Sequence, residues 1–398
     1  MRVLLINHFP LAGSGSGVYT CNIANSLLNL GHEVCIVYPT NQLENATYPF
    51  KTHPVYFTDA EGNAPVPDAL PFNFPCFTTH PKSINTFEDL NEAELAQYRD
   101  AFATALAQEK EAFQPDIVHA GHIWILADLG GNLGVPLVIT AHGTDLIGYQ
   151  KSTRYHQTAQ SAADKASAIV AISQKSYNEI AAVMPFALDK THLISNGYND
   201  RVFYRDAYDR AQVLAGFGID APFKNVVSFA GKFAHFKGID ILLRAAAQYE
   251  DDQTVTLLAG DGELFDEMTA LAADLGLKNI HFLHNQTHDV LRGLYNIADV
   301  SLVPSRKEPF GLVAIEAGAC GAPVIGTNDG GMTDILCDQN GILIDPESPD
   351  QLACAVKSIL EGQRTFDHAA VAAYTKSHFS QDQFTQRMID QLYIPAIG

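Results

Sequence analysis

The sequence predicts an α/β fold of two doubly wound, Rossmann-like domains, and three observations point there. Short Val-, Ile- and Leu-rich runs alternate with longer segments of helical period, the pattern of parallel strands joined by crossover helices. That alternation occupies both halves of the chain. Its 398 residues also exceed what one hydrophobic core ordinarily serves, which suggests two domains of about 200 residues each.

Taken in order, the expected strands of the first half are Val3–Asn7, Val34–Tyr38, Ile117–His119, Leu137–Thr140, Ala168–Ile172 and His192–Ser195. Those of the second half are Val226–Ala230, Val255–Ala259, Ile280–Leu283, Val300–Val303, Val324–Gly326 and Gly341–Ile344. Between about Thr40 and Pro81 the pattern gives way to a Pro-, Asn- and Phe-rich stretch too irregular for strand or helix. Such an insertion is usually functional or mobile. Its aromatics either line a pocket or pack on themselves as a surface Ω-loop. Turn residues and charges put the domain junction between about Gly197 and Phe223, and Gln381–Leu392 reads as an amphipathic helix. The expected division is 1–200, then 201–375, then a last segment of about 376–398.

Composition narrows the function. Apolar residues make up 47% and charged residues 18%, a globular balance. A net charge of -20 repels nucleic acid and anionic lipid, which excludes both as probable partners. Against that acidic background a lysine beside a glycine-rich loop stands out, and Lys232 and Lys237 are such residues. Six cysteines without regular spacing read as reduced thiols. The N-terminal apolar run is too short for a signal peptide and no later run approaches a membrane span, so a cytoplasmic location is expected.

After the first expected strand comes Gly13-Ser14-Gly15-Ser16-Gly17, followed by the helical stripe Val18, Cys21, Ile23 and Leu27. A glycine loop between strand and helix brings backbone N–H groups close to an anion. The spacing is G-x-G-x-G, and the second strand ends Tyr38-Pro39-Thr40 without an acidic residue for a ribose, so a dinucleotide cofactor is disfavoured. A tight turn without a ligand remains an alternative for this loop.

The second half carries more. Gly231-Lys232-Phe233-Ala234-His235-Phe236-Lys237-Gly238 follows a strand at its carboxyl end, where open α/β sheets bind ligands. Cations are disfavoured at a helix N-terminus, so an anion is expected beside these lysines. Glu308-Pro309-Phe310-Gly311-Leu312-Val313-Ala314-Ile315-Glu316 begins a helix near Phe310 or Gly311, whose first-turn N–H groups form a second anion site. Glu308 is expected in the loop before that helix and Glu316 about two turns inside it. Two carboxylates beside one phosphate-binding turn suit the vicinal hydroxyls of a sugar and a ribose.

The runs G-K-x-x-x-x-K-G, E-P-F-G-L-V-x-I-E and A-C-G-A-P-V-I-G-T resemble those of family 4 glycosyltransferases of the GT-B fold. His142-Gly143-Thr144-Asp145, Ser195-Asn196-Gly197, Ala259-Gly260-Asp261-Gly262 and Gly330-Gly331 occur in the family's order, so the resemblance covers nearly the whole chain. It implies two domains facing a central cleft. The first binds the acceptor, the second binds the nucleotide sugar, and a C-terminal helix crosses back to the first. It also implies that Glu316 holds the donor ribose, and that Glu308 with the amides of Phe310, Gly311 and Leu312 holds sugar and pyrophosphate. Lys232 and Lys237 then neutralise the leaving diphosphate, His142 faces the sugar near its 6-position, and Gly15, Ser16 and Gly17 approach phosphate or acceptor. Gly231 and Gly262 belong to the same donor-binding loops, and His284 and Asn285 are the expected loop against the nucleobase. The family retains anomeric configuration and demands no metal or other cofactor. One departure is Lys232, where the family usually has Arg; a lysine supplies a point charge without a bidentate fork.

The expected reaction is hexosyl transfer from a nucleoside-diphosphate sugar, UDP-linked first and GDP-mannose second, to a small soluble acceptor or glycan. A retaining glycoside hydrolase also uses two close carboxylates, and paired α/β domains also make non-enzymatic sugar or nucleotide receptors. A metal site at His281, His284 and His288 is disfavoured for want of second-shell carboxylates. His119 and His122 either line the cleft or are histidines satisfied at the core edge. A homo-oligomer is left open.

Overall fold

The computed structural model describes every residue except Gly13, residues 44–46, Thr79, Ala221, Lys307 and Pro309. Gly13 of the glycine loop and Pro309 of the E-P-F-G run therefore lie outside the described residues. The chain divides into two compact units, one of Met1–Ser195 with Gln381–Gly398 and one of Asn196–Ser380. The boundary thus falls at Ser195 rather than near 200, and the chain leaves the second unit at Ser380 rather than near 376.

The first unit contains a seven-stranded parallel sheet of Arg2–Ile6, Glu33–Thr40, Lys51–Tyr56, Ile117–Gly121, Leu137–Ala141, Ala168–Ala171 and Thr191–Leu193. Numbered in chain order, these strands lie 3-2-1-4-5-6-7 across the sheet, so the order reverses beside the first strand. The second unit contains six parallel strands: Asn225–Ala230, Thr254–Ala259, Ile280–Phe282, Val300–Val303, Val324–Thr327 and Gly341–Ile344, in the order 3-2-1-4-5-6. Central strands such as Leu137–Ala141 and Val300–Val303 are buried along their whole length because helices cover both faces. Loops leaving a sheet's carboxyl edge beside such a reversal are where doubly wound folds take ligands.

Three expectations need correction. The insertion does contain a strand: Lys51–Tyr56 pairs in parallel with Glu33–Thr40, from Cys35 opposite Lys51 to Thr40 opposite Tyr56. It lacks an apolar run because it is an edge strand, where Pro54 and exposed polar residues are tolerated. The Glu109 carboxylate fixes it, accepting from Lys51 Nζ at 2.5 Å and pairing with His53 Nδ1 at 2.8 Å. Nor do the insertion's aromatics form a pocket or a self-packed loop. Phe57, Phe72, Phe74 and Phe77 are buried in one cluster with Tyr98, Phe102 and Trp124, so the insertion completes the core of the first unit. Finally, the C-terminal segment is helical over Gln381–Met388, widens to a π-turn over Ile389–Tyr393 and resumes over Ile394–Ile397. Phe384, Met388, Leu392 and Tyr393 bury against Ile23, Leu27 and Tyr38 of the first unit.

Candidate active site

In the second unit, the strand Asn225–Ala230 opens into Gly231, Lys232 and Phe233, then into a 3-10 turn over His235–Lys237. Gly238 follows in the left-handed region at φ 67° and caps the helix Ile239–Tyr249. That turn aims Lys237 at the loop after Val300–Val303. Lys237 Nζ lies 2.6 Å from Glu308 Oε2, and Ser305 Oγ donates to the same oxygen at 2.9 Å. The Lys237 and Glu308 side chains are only 16% and 7% exposed, so neither charge is left to water. Removing one partner of such a pair leaves the other buried and uncompensated, at a cost of about 3–5 kcal/mol. Thr327 Oγ1, at the end of the next strand, donates to the Ser305 carbonyl at 2.7 Å and anchors this loop from the side.

Glu308 leads into Phe310, Gly311 and the helix Leu312–Ala319, one or two residues later than the sequence places its start. Gly311 caps it at φ 98°, a conformation that side chains rarely adopt, and a Cβ there would stand 2.8 Å from Met332 Sδ. Gly331 donates its N–H to the Glu308 carbonyl at 2.9 Å, and a Cβ on Gly331 would fall 2.2 Å from the Phe310 carbonyl. The Gly330-Gly331 pair is therefore a close backbone contact that supports the loop holding Glu308 and Phe310. Leu312 and Val313 occupy the first turn, whose N–H groups have no acceptor within their own helix. Glu316 lies one turn inside, not two, on the same helical face as the exposed Leu312. Burial among small residues raises its carboxyl to about 7.

Lys232 belongs to a different ion pair. Its Nζ lies 3.2 Å from Glu263 Oε2, with both side chains more than half exposed, an arrangement that adds little stability. The loops after the first three strands of this sheet interlock. Gly231 N–H donates to the Ala259 carbonyl, Phe233 N–H to the Asp261 carbonyl, and Gly260 N–H to the His284 carbonyl. Gly262 abuts the Phe233 carbonyl, which a Cβ would meet at 2.4 Å. His284, at φ 55°, places Nδ1 2.6 Å from Asp261 Oδ1 and stacks on Phe265 at 4.3 Å. Asn285 N–H donates to Asp261 Oδ2 at 2.8 Å. Asp261 entered the sequence reasoning only as part of the Ala259-Gly260-Asp261-Gly262 run, without a site role, and Phe265 not at all; an aspartate between two glycines at a strand's carboxyl end was the available signal. His281, His284 and His288 form no group of three metal-binding side chains among the described residues.

In the first unit, Ser14 caps the helix Gly15–Asn29: its hydroxyl accepts the Gly17 N–H at 3.0 Å and donates to the Pro10 carbonyl at 3.1 Å. Gly17 is needed for close approach, since a Cβ would stand 2.2 Å from that carbonyl, whereas Gly15 faces open space. The Ser16 hydroxyl is buried without a partner among the described residues. His142, after the strand Leu137–Ala141, meets Tyr19 edge-on at 4.7 Å and His122 at the same separation. Its Nε2, both ring nitrogens of His122, Asn7 Oδ1 and Asp145 Oδ1 are buried without partners among the described residues. Burial drives the His122 and His142 imidazoles down to about 3, so both are neutral. Unsatisfied buried groups concentrated at the carboxyl ends of adjacent strands indicate a place for water or ligand. His119 is satisfied instead, by Tyr393 Oη at 2.5 Å and Thr140 Oγ1 at 2.7 Å.

Comparison with known proteins agrees with this arrangement. Residues 13–202 match the family described as Glycosyltransferase Family 4, and residues 221–376 match Glycosyl transferases group 1. The chain is 30% identical over 306 residues to a D-inositol 3-phosphate glycosyltransferase of Mycobacteroides abscessus, covering 72% of this chain and 68% of that protein. It is 28% identical to the protein of that name from Rhodococcus jostii, over 100% of this chain and 90% of the relative. Among solved structures, Anabaena HepE in complex with UDP superposes with a TM-score of 0.69 at 20% identity, over 98% of this chain and 99% of HepE. Sucrose-phosphate synthase from Thermosynechococcus elongatus does so at 0.65 and 22% identity, over 99% of this chain and 98% of the synthase. No helix among the described residues is long and apolar enough to cross a membrane. With two parallel sheets, family matches over both halves and relatives of one kind along its length, the chain belongs to the family 4 glycosyltransferases and has the GT-B fold.

Proposed function

We propose that the chain is a retaining, metal-independent hexosyltransferase whose second unit holds a nucleoside-diphosphate sugar. The observation that carries the reading is the buried Lys237–Glu308 pair at 2.6 Å beside the first turn of the helix Leu312–Ala319, with Glu316 one turn further in. The amides of Phe310, Gly311 and Leu312 and the ammonium of Lys237 receive the diphosphate, with the exposed Lys232 as a second cation. Glu308 accepts from hydroxyls of the transferred sugar, Glu316 from the ribose diol, and the His284-Asn285 loop contacts the base.

The chemistry follows from where charge develops. As the bond between the anomeric carbon and the diphosphate oxygen breaks, negative charge gathers on the leaving group, where preorganised cations and N–H groups lower the barrier. The acceptor oxygen bonds to the same face of the anomeric carbon, and its proton passes to the departing phosphate oxygen. His142, neutral and half-buried, donates to or accepts from a sugar hydroxyl.

A UDP-linked donor ranks first, supported by HepE having been solved with UDP and with UDP-glucose; GDP-mannose ranks second. The acceptor is a small soluble molecule or glycan taken by the first unit, a choice that the inositol-phosphate relatives support. None of the six cysteines forms a disulfide, which fits a reducing, cytoplasmic setting.

Thermal-shift screening against nucleotide sugars tests the donor, because a ligand at 100 times its Kd stabilises by about 2.7 kcal/mol. NMR of the product linkage tests the stereochemistry; an inverted anomer rules out this mechanism. Release of free sugar from a glycoside without nucleotide would favour a hydrolase, and donor binding without turnover would favour a receptor.

A further inference from the structure

We infer that Arg306 is a positioning residue that sets the Lys237–Glu308 pair, by lacing the turn that carries the lysine to the loop that carries the glutamate. The inference rests on the reading that this pair acts on the departing diphosphate. A guanidinium has five N–H donors, and in Arg306 all five are used. Nη1 donates to Asp240 Oδ1 and to the His235 carbonyl, each at 2.8 Å. Nη2 donates to Asp240 Oδ2 at 2.8 Å and to Glu347 Oε2 at 3.0 Å. Nε donates to Glu347 Oε1. With no donor left over and a side chain only 15% exposed, Arg306 has nothing to offer a phosphate directly.

What it grips is specific. His235 begins the 3-10 turn that ends at Lys237, and Asp240 lies in the first turn of the helix that follows. The Arg306 backbone adds a further link, its N–H donating to the Phe236 carbonyl at 2.8 Å. Arg306 itself stands two residues before Glu308. The same residue therefore fixes the segments bearing both halves of an ion pair whose members lie 71 residues apart in the chain. A bidentate fork to Asp240 with a second fork to Glu347 sets angle as well as distance, which a lysine cannot reproduce.

The test is a kinetic double-mutant cycle of Arg306→Gln with Lys237→Ala, read as release of UDP from UDP-glucose, alongside calorimetric UDP affinity. Misplacing a catalytic group by an ångström costs up to about a hundredfold in rate. Arg306→Gln should therefore lower kcat about tenfold to a hundredfold, with Arg306→Lys recovering little of it. Because Arg306 acts through the pair that Lys237 completes, the loss in the double variant should fall well short of the product of the two single losses. Losses that multiply in the double variant overturn the inference while leaving the lysine's own role intact. A fully active Lys237→Ala would instead remove the reading on which the inference rests. Glu347→Gln, which weakens one fork at an exposed carboxylate, is the milder variant should Arg306→Gln fold poorly; it should lower kcat by a smaller factor with an unchanged melting temperature, and wild-type kcat would count against the inference. Independently of any ligand, a solved Arg306→Gln structure should show the pair displaced, and a Lys237–Glu308 distance retained at 2.6 Å would overturn it.

Discussion

Lys237 Nζ and Glu308 Oε2, 2.6 Å apart and nearly closed off from water, form a pair in which the carboxylate holds the cation in place before any anion arrives. On the proposed reading a donor diphosphate shares that ammonium, and the Ser305 hydroxyl on the same Glu308 oxygen keeps the carboxylate partly satisfied when it does. Lys237→Ala should lower turnover a hundredfold or more, since losing one such donor costs about 2.7 to 4 kcal/mol in the transition state. Steady-state turnover of a purified, folded variant measures this, and near-normal kcat would take Lys237 out of the mechanism.

Glu316 predicts a pH effect of definite sign. Burial raises its carboxyl from 4.5 to about 7, so between those values the folded protein holds a proton that the unfolded chain has lost. Stability from this group therefore falls as pH rises from about 4.5 through about 7, by about 3 kcal/mol at most. On the proposed reading the ionised form is the better acceptor for the ribose diol. UDP affinity should accordingly rise from pH 6 to pH 8 with net proton release, visible as a buffer-dependent heat in calorimetry, and Glu316→Gln should reduce both trends to the part that UDP's own terminal phosphate contributes.

The buried histidines of the first unit act in the opposite direction. Burial lowers His119, His122 and His142 to about 3 and His8 well below 6.5. Below about pH 6.5 the unfolded chain takes up protons that the folded unit refuses, so stability falls with pH until about pH 3. Each histidine contributes up to about 1.36 kcal/mol per pH unit. The urea midpoint of the first unit should drop steeply between pH 7.5 and 5.5; a flat profile would mean that these rings reach solvent.

The returning C-terminal segment should be required for the first unit to be stable. Phe384 is fully buried beside Leu27, Tyr38 and Tyr393, and Phe384→Ala should cost about 3–5 kcal/mol. Denaturant unfolding should show that loss in the first unit's transition, with the second unit's unchanged.

The local features of the chain were readable because they depend on near neighbours. Twelve expected strands reappear within a few residues of their observed bounds, and central ones such as Val300–Val303 are plainest, since a strand buried on both faces is a continuous apolar run wherever it occurs. The strand Lys51–Tyr56 escaped because an edge strand half open to solvent has no such run. The two lysines were read as one cationic site, yet each has its own carboxylate, Glu263 for Lys232 and Glu308 for Lys237.

By itself the sequence determined the fold class and the family, because periodicity and motif spacing are properties of short segments. Tertiary structure alone decided which charges meet, that burial raises the Glu316 carboxyl, and that Arg306 spends its side-chain donors on His235, Asp240 and Glu347 behind the Lys237–Glu308 pair. Ion-pair geometry and desolvation arise only when segments distant in the chain are brought together and water is excluded, and no local pattern encodes that.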